Sequence, residues 1–246
     1  MIRHSFARLG AVVAACTACA ALPASAAAQS DGGLGFGSST EATPAAGAAG
    51  TLVVRTAVYL GKTLRVDGTM AHGLANQPVL IQRQEKSGAW SRVATATTTA
   101  GGAFTARWKT DHIGRFPMRA IPRPATGTTV SAAALPATGV TPVTVYRART
   151  ATWYGPGFFG KRTACGQILR KSTLGVAHRT LPCGTQVAFY YKGRTVTVPV
   201  IDRGPFRDAT IWDLTQAAAR AIDFKGAETV GALRLPKATA VAAPAG

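Results

Sequence analysis

Val187-Ala188-Phe189-Tyr190-Tyr191, then Lys192-Gly193, then Thr195-Val196-Thr197-Val198: two β-favouring runs flank a turn-forming pair, and the pattern predicts a hairpin. Downstream, Leu214, Ala217, Ala218, Ala221 and Ile222 recur at helical spacing with Thr215 as a cap, so one short helix is expected over Leu214 to Ile222. A short helix set among short strands suits a small β-barrel. Upstream, Thr63-Leu64-Arg65-Val66-Asp67-Gly68, Val79-Leu80-Ile81-Gln82-Arg83, Trp90-Ser91-Arg92-Val93-Ala94, Ala103-Phe104-Thr105-Ala106-Arg107-Trp108 and Arg115-Phe116-Pro117-Met118-Arg119-Ala120 are separated by Gly, Asn or Asp turns. Such closely spaced runs predict a β-sandwich, with a further strand near Thr128 to Ala134 and a last one at Val143-Thr144-Val145-Tyr146. The chain therefore reads as all-β, with a domain boundary near Arg147.

The N-terminus carries a different signal. Arg3 and Arg8 precede an uncharged apolar run from Leu9 to Leu22, then Pro23 and Ala24-Ser25-Ala26-Ala27-Ala28, so 1–28 reads as a secretory signal peptide cleaved after Ala26 or Ala28. Val13-Ala14-Ala15-Cys16 offers a rival, lipid attachment at Cys16, but the apolar run continues past that cysteine and favours plain secretion. Residues 29–50 have the Gly, Ala, Ser, Thr and Pro composition of a flexible linker, and 238–246 read as a disordered tail. No later window holds the roughly 18 consecutive apolar residues of a membrane span, so no stable membrane insertion is expected after cleavage.

Export bears on the cysteines. Cys16 and Cys19 leave with the signal, and of the four cysteines Cys165 and Cys183 remain; in an oxidising compartment they are expected to form a disulfide. A metal site is the competing reading, but His178 is the one histidine nearby and a structural zinc normally takes four ligands, so neither metal nor cofactor is expected. Lys and Arg number 28 against 10 Asp and Glu, a formal net charge of +18. In an exported protein this argues for an acidic wall polymer or glycan as partner rather than nucleic acid, with solubility as the competing explanation. A monomer is expected. His72 and His112 lie in turn-like stretches and read as surface residues.

Two resemblances organise these observations. Asp67-Gly68, Gln77-Pro78-Val79 and Gly101-Gly102-Ala103-Phe104 resemble bacterial immunoglobulin-like and carboxypeptidase-regulatory-like modules, which implies an immunoglobulin-like sandwich over 51–146. The second half is more specific. Ala151-Thr152-Trp153-Tyr154-Gly155-Pro156-Gly157-Phe158-Phe159-Gly160, Thr163-Ala164-Cys165-Gly166-Gln167, Ala177-His178-Arg179-Thr180-Leu181-Pro182-Cys183-Gly184-Thr185, Val200-Ile201-Asp202-Arg203-Gly204-Pro205 and Trp212-Asp213-Leu214-Thr215 occur in this order. They resemble the rare lipoprotein A family, whose barrel is shared with expansins and certain lytic transglycosylases. The resemblance implies a six-stranded double-psi β-barrel over 147–237 with one or two short helices, and a peptidoglycan substrate.

Cleaving a glycosidic bond needs a proton donor to the leaving oxygen, and ordinary hydrolases add a second carboxylate. Lytic transglycosylases let the sugar's own 6-hydroxyl attack, so one acid/base suffices. The second half offers Asp202, Asp208, Asp213, Asp223 and Glu228. By resemblance Asp213 matches the general acid of the related barrels, Asp202 matches their second aspartate, and His178 matches the groove histidine. Read from local sequence alone, Asp213 also suits a helix N-terminus and Asp202 a turn before Gly204. Trp153 and Tyr154 either stack on sugar faces or pack the first strand, and Arg203 either binds a substrate carboxylate or pairs with Asp202. The family commonly has acids where this chain has Gln167 and Arg170. Gln cannot donate a proton as an acid does, so Gln167 is expected to bind substrate rather than to protonate it, and Arg reverses the local charge.

Two functional readings therefore stay open. One is a secreted wall protein that binds peptidoglycan and cleaves its glycan strand by lytic transglycosylation, favoured by His178, Asp202 and Asp213. The other is a non-catalytic, expansin-like wall-binding or wall-loosening module, favoured by Gln167 and Arg170. A secreted inhibitor is a third role known for such barrels.

Overall fold

The computed structural model describes residues 50–70, 75–123, 137–206 and 209–236. The signal peptide, most of the linker, His72, the strand expected near Thr128 to Ala134, Asp208 and the C-terminal tail lie outside the described residues.

The described residues of the first half form eight strands: β1 (Gly50–Val54), β2 (Ala57–Tyr59), β3 (Thr63–Met70), β4 (Pro78–Gln84), β5 (Trp90–Thr97), β6 (Ala103–Lys109), β7 (Gly114–Pro122) and β8 (Thr141–Tyr154). β1, β3 and β6 form one antiparallel sheet. The other runs β5-β4-β7-β8, with β2 added in parallel to β8. Strict alternation along β3 and β6 turns Leu64, Val66, Phe104, Ala106 and Trp108 inward. They share one core with Val79, Ile81, Phe116, Met118, Val143 and Val145 from the facing sheet. Burying each such aliphatic or aromatic side chain contributes about 1.5–3 kcal/mol, which is what holds the two sheets face to face. The short runs read from sequence all fall within these strands.

The second half adds β9 (Val176–Ala177), β10 (Gln186–Tyr191), β11 (Arg194–Asp202), β12 (Trp212–Thr215), α1 (Gln216–Ala221) and β13 (Glu228–Arg234). The order β8-β12-β9-β11-β10-β13 returns to β8, so the sheet closes into a six-stranded barrel. Two of its pairings, β8 with β12 and β9 with β11, are parallel, and the others are antiparallel. Val187, Phe189, Val198, Val200, Leu214 and Val230 fill the interior. The expected hairpin is β10–β11, and Lys192 and Gly193 both take positive φ, 44° and 88°, as a tight two-residue turn of the primed kind requires.

The helix begins later than its periodicity suggests. Leu214 belongs to β12, and Thr215 Oγ1 caps α1 by accepting from Ala218 N at 3.3 Å. Asp213 consequently sits within a strand rather than at a helix N-terminus. The expected boundary at Arg147 falls inside β8, which pairs with β7 and β2 at its start and with β12 and β13 at its end. Tyr190 stacks on Tyr146 (centroids 5.4 Å, 21°) and meets Tyr59 beside it, closing a small apolar junction between the two halves. A Cβ on Gly231 would lie 2.7 Å from that of Tyr146, so this close approach of β13 to β8 needs glycine.

Candidate functional site

The two-residue strand β9 organises the site. Ala177 is in register with Asp202 of β11 on one side and with Asp213 of β12 on the other. Residues paired in register point to the same face of a sheet, so both carboxylates flank one small side chain. The three residues line an open groove of about 650 Å³, together with Thr152, Trp153, Tyr154, Phe158, Arg203 and Phe206. Phe158 and Phe206 stand 54% and 82% exposed. Apolar rings held in water at the edge of a largely apolar cleft that carries two carboxylates are suited to stacking on the C–H faces of sugars.

Each carboxylate is anchored. Asp202 Oδ1 accepts from the backbone N–H of Ala164 at 2.9 Å and of Arg203 at 2.8 Å. Asp213 Oδ1 accepts from Thr152 Oγ1 at 2.7 Å, across the parallel β8–β12 register. Tyr154 Oη is buried against Asp202, without meeting the geometry of a full hydrogen bond. Burial first, then the charges of Asp202 and Asp213, push that phenol well above its ordinary value, so it stays protonated as a donor facing the carboxylates. The remaining described acids of this half are engaged at the surface: Asp223 pairs with Lys225 at 2.5 Å, and Glu228 accepts from Tyr191 Oη at 2.7 Å.

Of the residues expected from sequence, Asp202, Asp213, Trp153, Tyr154 and Arg203 come together in the groove, while His178 and Gln167 are not among its lining residues. The His178 ring packs on Trp212 (centroids 4.5 Å), and its Nδ1 accepts from the N–H groups of Thr180 and Leu181 at 3.2 and 3.1 Å. Its own backbone N–H donates to the Asp202 carbonyl at 3.2 Å. His178 thus supports the strand end that carries Asp202. Burial, then Arg203 and Arg179, lower its pKa, and the two donors on Nδ1 assign the proton to Nε2. Because the folded-state pKa lies below the unfolded value, the unfolded chain takes up the proton first on acidification. Stability is therefore expected to fall as pH drops below about 6.5, the ordinary histidine value. Thermal unfolding of wild type and His178→Gln from pH 7.5 to 5 checks this, with a flatter profile expected in the variant.

Arg203 is not paired with Asp202 through its guanidinium. Nη1 lies near the carbonyls of His178 (3.5 Å) and Asp202 (3.4 Å), and Nη2 near Cys183 Sγ (3.5 Å). Trp153 serves both alternatives: it lines the groove, packs against the barrel core, and is pinned by Nε1 donating to the Lys225 carbonyl at 3.1 Å. Cys165 and Cys183 form the disulfide with Cα atoms 5.8 Å apart, tying the 163–167 loop to the segment after His178. Gln167 is exposed in that loop, where its carbonyl accepts from Thr163 N at 2.8 Å, and Arg170 is exposed as well.

Four contributors escaped sequence reading. Thr152 and Phe158 lie inside a recognised motif with no role attached to them. Phe206 follows Asp202-Arg203-Gly204-Pro205 by one position. Arg179 donates to the carbonyls of Pro205 at 2.6 Å and Thr210 at 3.3 Å, fastening the groove's far loop; such side chain to backbone straps leave no periodic trace.

Residues 146–232 match a family model described as lytic transglycolase. The chain is 50% identical over 74 residues to a probable endolytic peptidoglycan transglycosylase RlpA of Synechocystis, covering 29% of this chain and 23% of that protein. It is 47% identical over 76 residues to the endolytic peptidoglycan transglycosylase RlpA of Campylobacter jejuni, covering 30% and 28%. With the Rickettsia bellii protein of the same name it shares 41% over 80 residues, 30% and 35% of the two chains. The chain thus spans about a quarter to a third of the length of the curated relatives it matches. Among solved structures, the Streptomyces papain inhibitor is 32% identical, covering 35% of this chain and 91% of its own, with a TM-score of 0.27.

Proposed function

We propose, for a chain whose residues 146–232 are an RlpA-like double-psi barrel, that the barrel binds peptidoglycan and cleaves its glycan strand by lytic transglycosylation. The observation that carries this reading is the pair Asp202 and Asp213 flanking Ala177 in a groove edged by exposed aromatic rings. The Asp213 carboxyl gives its proton to the oxygen leaving C1 of the muramic acid residue. The 6-hydroxyl of that same sugar then bonds to C1 and returns its proton to the Asp213 carboxylate, so a 1,6-anhydro ring forms and no water is consumed. Asp202, fixed by two backbone N–H groups, sets the shape and charge of the opposite side of the groove, with the protonated Tyr154 phenol buried against it.

Export through 1–28, an envelope location and a monomeric state belong to the same reading, as does an immunoglobulin-like first domain; the packing of two sheets around one shared core supports the last of these. The non-catalytic, expansin-like reading draws on Gln167 and Arg170. Both side chains belong to exposed residues outside the groove lining, which favours the catalytic reading. A suspension of purified peptidoglycan incubated with the protein tests the choice. Falling turbidity with soluble glycan release is expected; co-sedimentation with the wall and no release at any pH from 4 to 8 would establish the binding module instead.

A further inference from the structure

The outer face of the three-stranded sheet, far in sequence from the groove residues, concentrates positive charge in a way that the fold itself does not need. Alternation on β3 and β6 leaves Arg65, Arg107 and Lys109 exposed on one face, and register sets Arg65 directly opposite Arg107 and Thr63 opposite Lys109. Lys62 is exposed at the turn where Thr110 N donates to its carbonyl, beside that same end of β6. Arg55, also exposed, follows β1 one position beyond the Val54–Val66 pair and so lies level with Arg65. Like charges directly opposite on neighbouring strands are destabilising. Asp67 is the one acid among these positions on the face, and it is engaged by Arg65 Nε at 2.7 Å and Thr105 Oγ1 at 2.6 Å. Neighbouring strands are about 4.8 Å apart and same-face residues about 6.7 Å apart along a strand. The face therefore offers a dense grid of cations to an extended ligand.

We propose that this face binds a linear phosphodiester polymer of the cell envelope, docking the first domain while the barrel works on the glycan. Closely spaced phosphates complement cations at these separations better than the one carboxylate per disaccharide of a glycan strand. The envelope setting rests on the proposed function; the charge complementarity does not.

Titration of the full chain with soluble poly(glycerol phosphate) tests the proposal. With about four phosphates neutralised on a single strand, tripling the salt concentration is expected to weaken binding about 20-fold. Arg107→Gln with Lys109→Gln is expected to weaken it about 25-fold, from the usual contribution of each basic residue at an anionic surface. Arg92→Gln with Arg115→Gln, the same charge change on exposed positions of the other sheet, is expected to leave it within about twofold. Asp213→Asn is likewise expected to leave it unchanged, which separates this face from the groove. Equal loss in the two double variants, no binding of the polymer, or equally tight binding of duplex DNA at matched salt would each overturn the proposal.

Discussion

Asp213→Asn is expected to lower the rate of glycan release from peptidoglycan by about 10²- to 10⁴-fold, the usual contribution of a positioned general acid, while the variant still sediments with the wall. The substitution keeps the volume and the acceptor oxygen for Thr152 Oγ1, so the β8–β12 contact at 2.7 Å survives and loss of folding is not the cause. What disappears is the transferable proton. Asp202→Asn should behave differently, because Asp202 Oδ1 is the shared acceptor for the N–H groups of Ala164 and Arg203. Weakening that acceptor loosens the 163–167 loop, so this variant is expected to lose stability as well as rate. Thermal unfolding measured beside the release assay separates the two aspartates: Asp213→Asn close to wild type in melting temperature, Asp202→Asn lower.

Phe189→Ala is expected to destabilise the barrel by about 3–5 kcal/mol, the range for removing a fully enclosed aromatic side chain. Phe189 has no exposed surface and meets Trp212 edge to face at 5.3 Å. Trp212 in turn carries the His178 ring, and the His178 backbone holds the end of β11 at Asp202. Two residues, Trp212 and His178, therefore stand between the cavity and Asp202 of the groove. Urea unfolding gives the free energy, and glycan release measured well below the new melting temperature is expected to fall too, since the support of Asp202 slackens before the barrel opens.

The elements that were readable from sequence are those whose signal is local. β10 and β11 announce themselves through alternating Val, Phe, Tyr and Thr around Lys192-Gly193, and β3 and β6 through strict inward-outward alternation. β9 has two residues and β12 four, too few for any period, and both owe their existence to partners remote in sequence. The continuity of β8 past Arg147 was hidden for a related reason: Arg147 and Arg149 look like a break in an apolar run, yet pairing with β13 carries the strand through them. At the site, motif order pointed to Asp202 and Asp213, but their placement on either side of Ala177 depends on β9 slotting between β11 and β12. The same tertiary closure leaves both His178 and Gln167 out of the groove lining.

Mass spectrometry of the glycan ends released by the wild-type protein tests the central claim most directly. Intramolecular attack through the Asp213 proton predicts products ending in 1,6-anhydromuramic acid, absent with Asp213→Asn. Products bearing ordinary reducing ends would mean that water is the nucleophile and would contradict the mechanism, and anhydro ends at undiminished yield from Asp213→Asn would contradict the assignment of the acid.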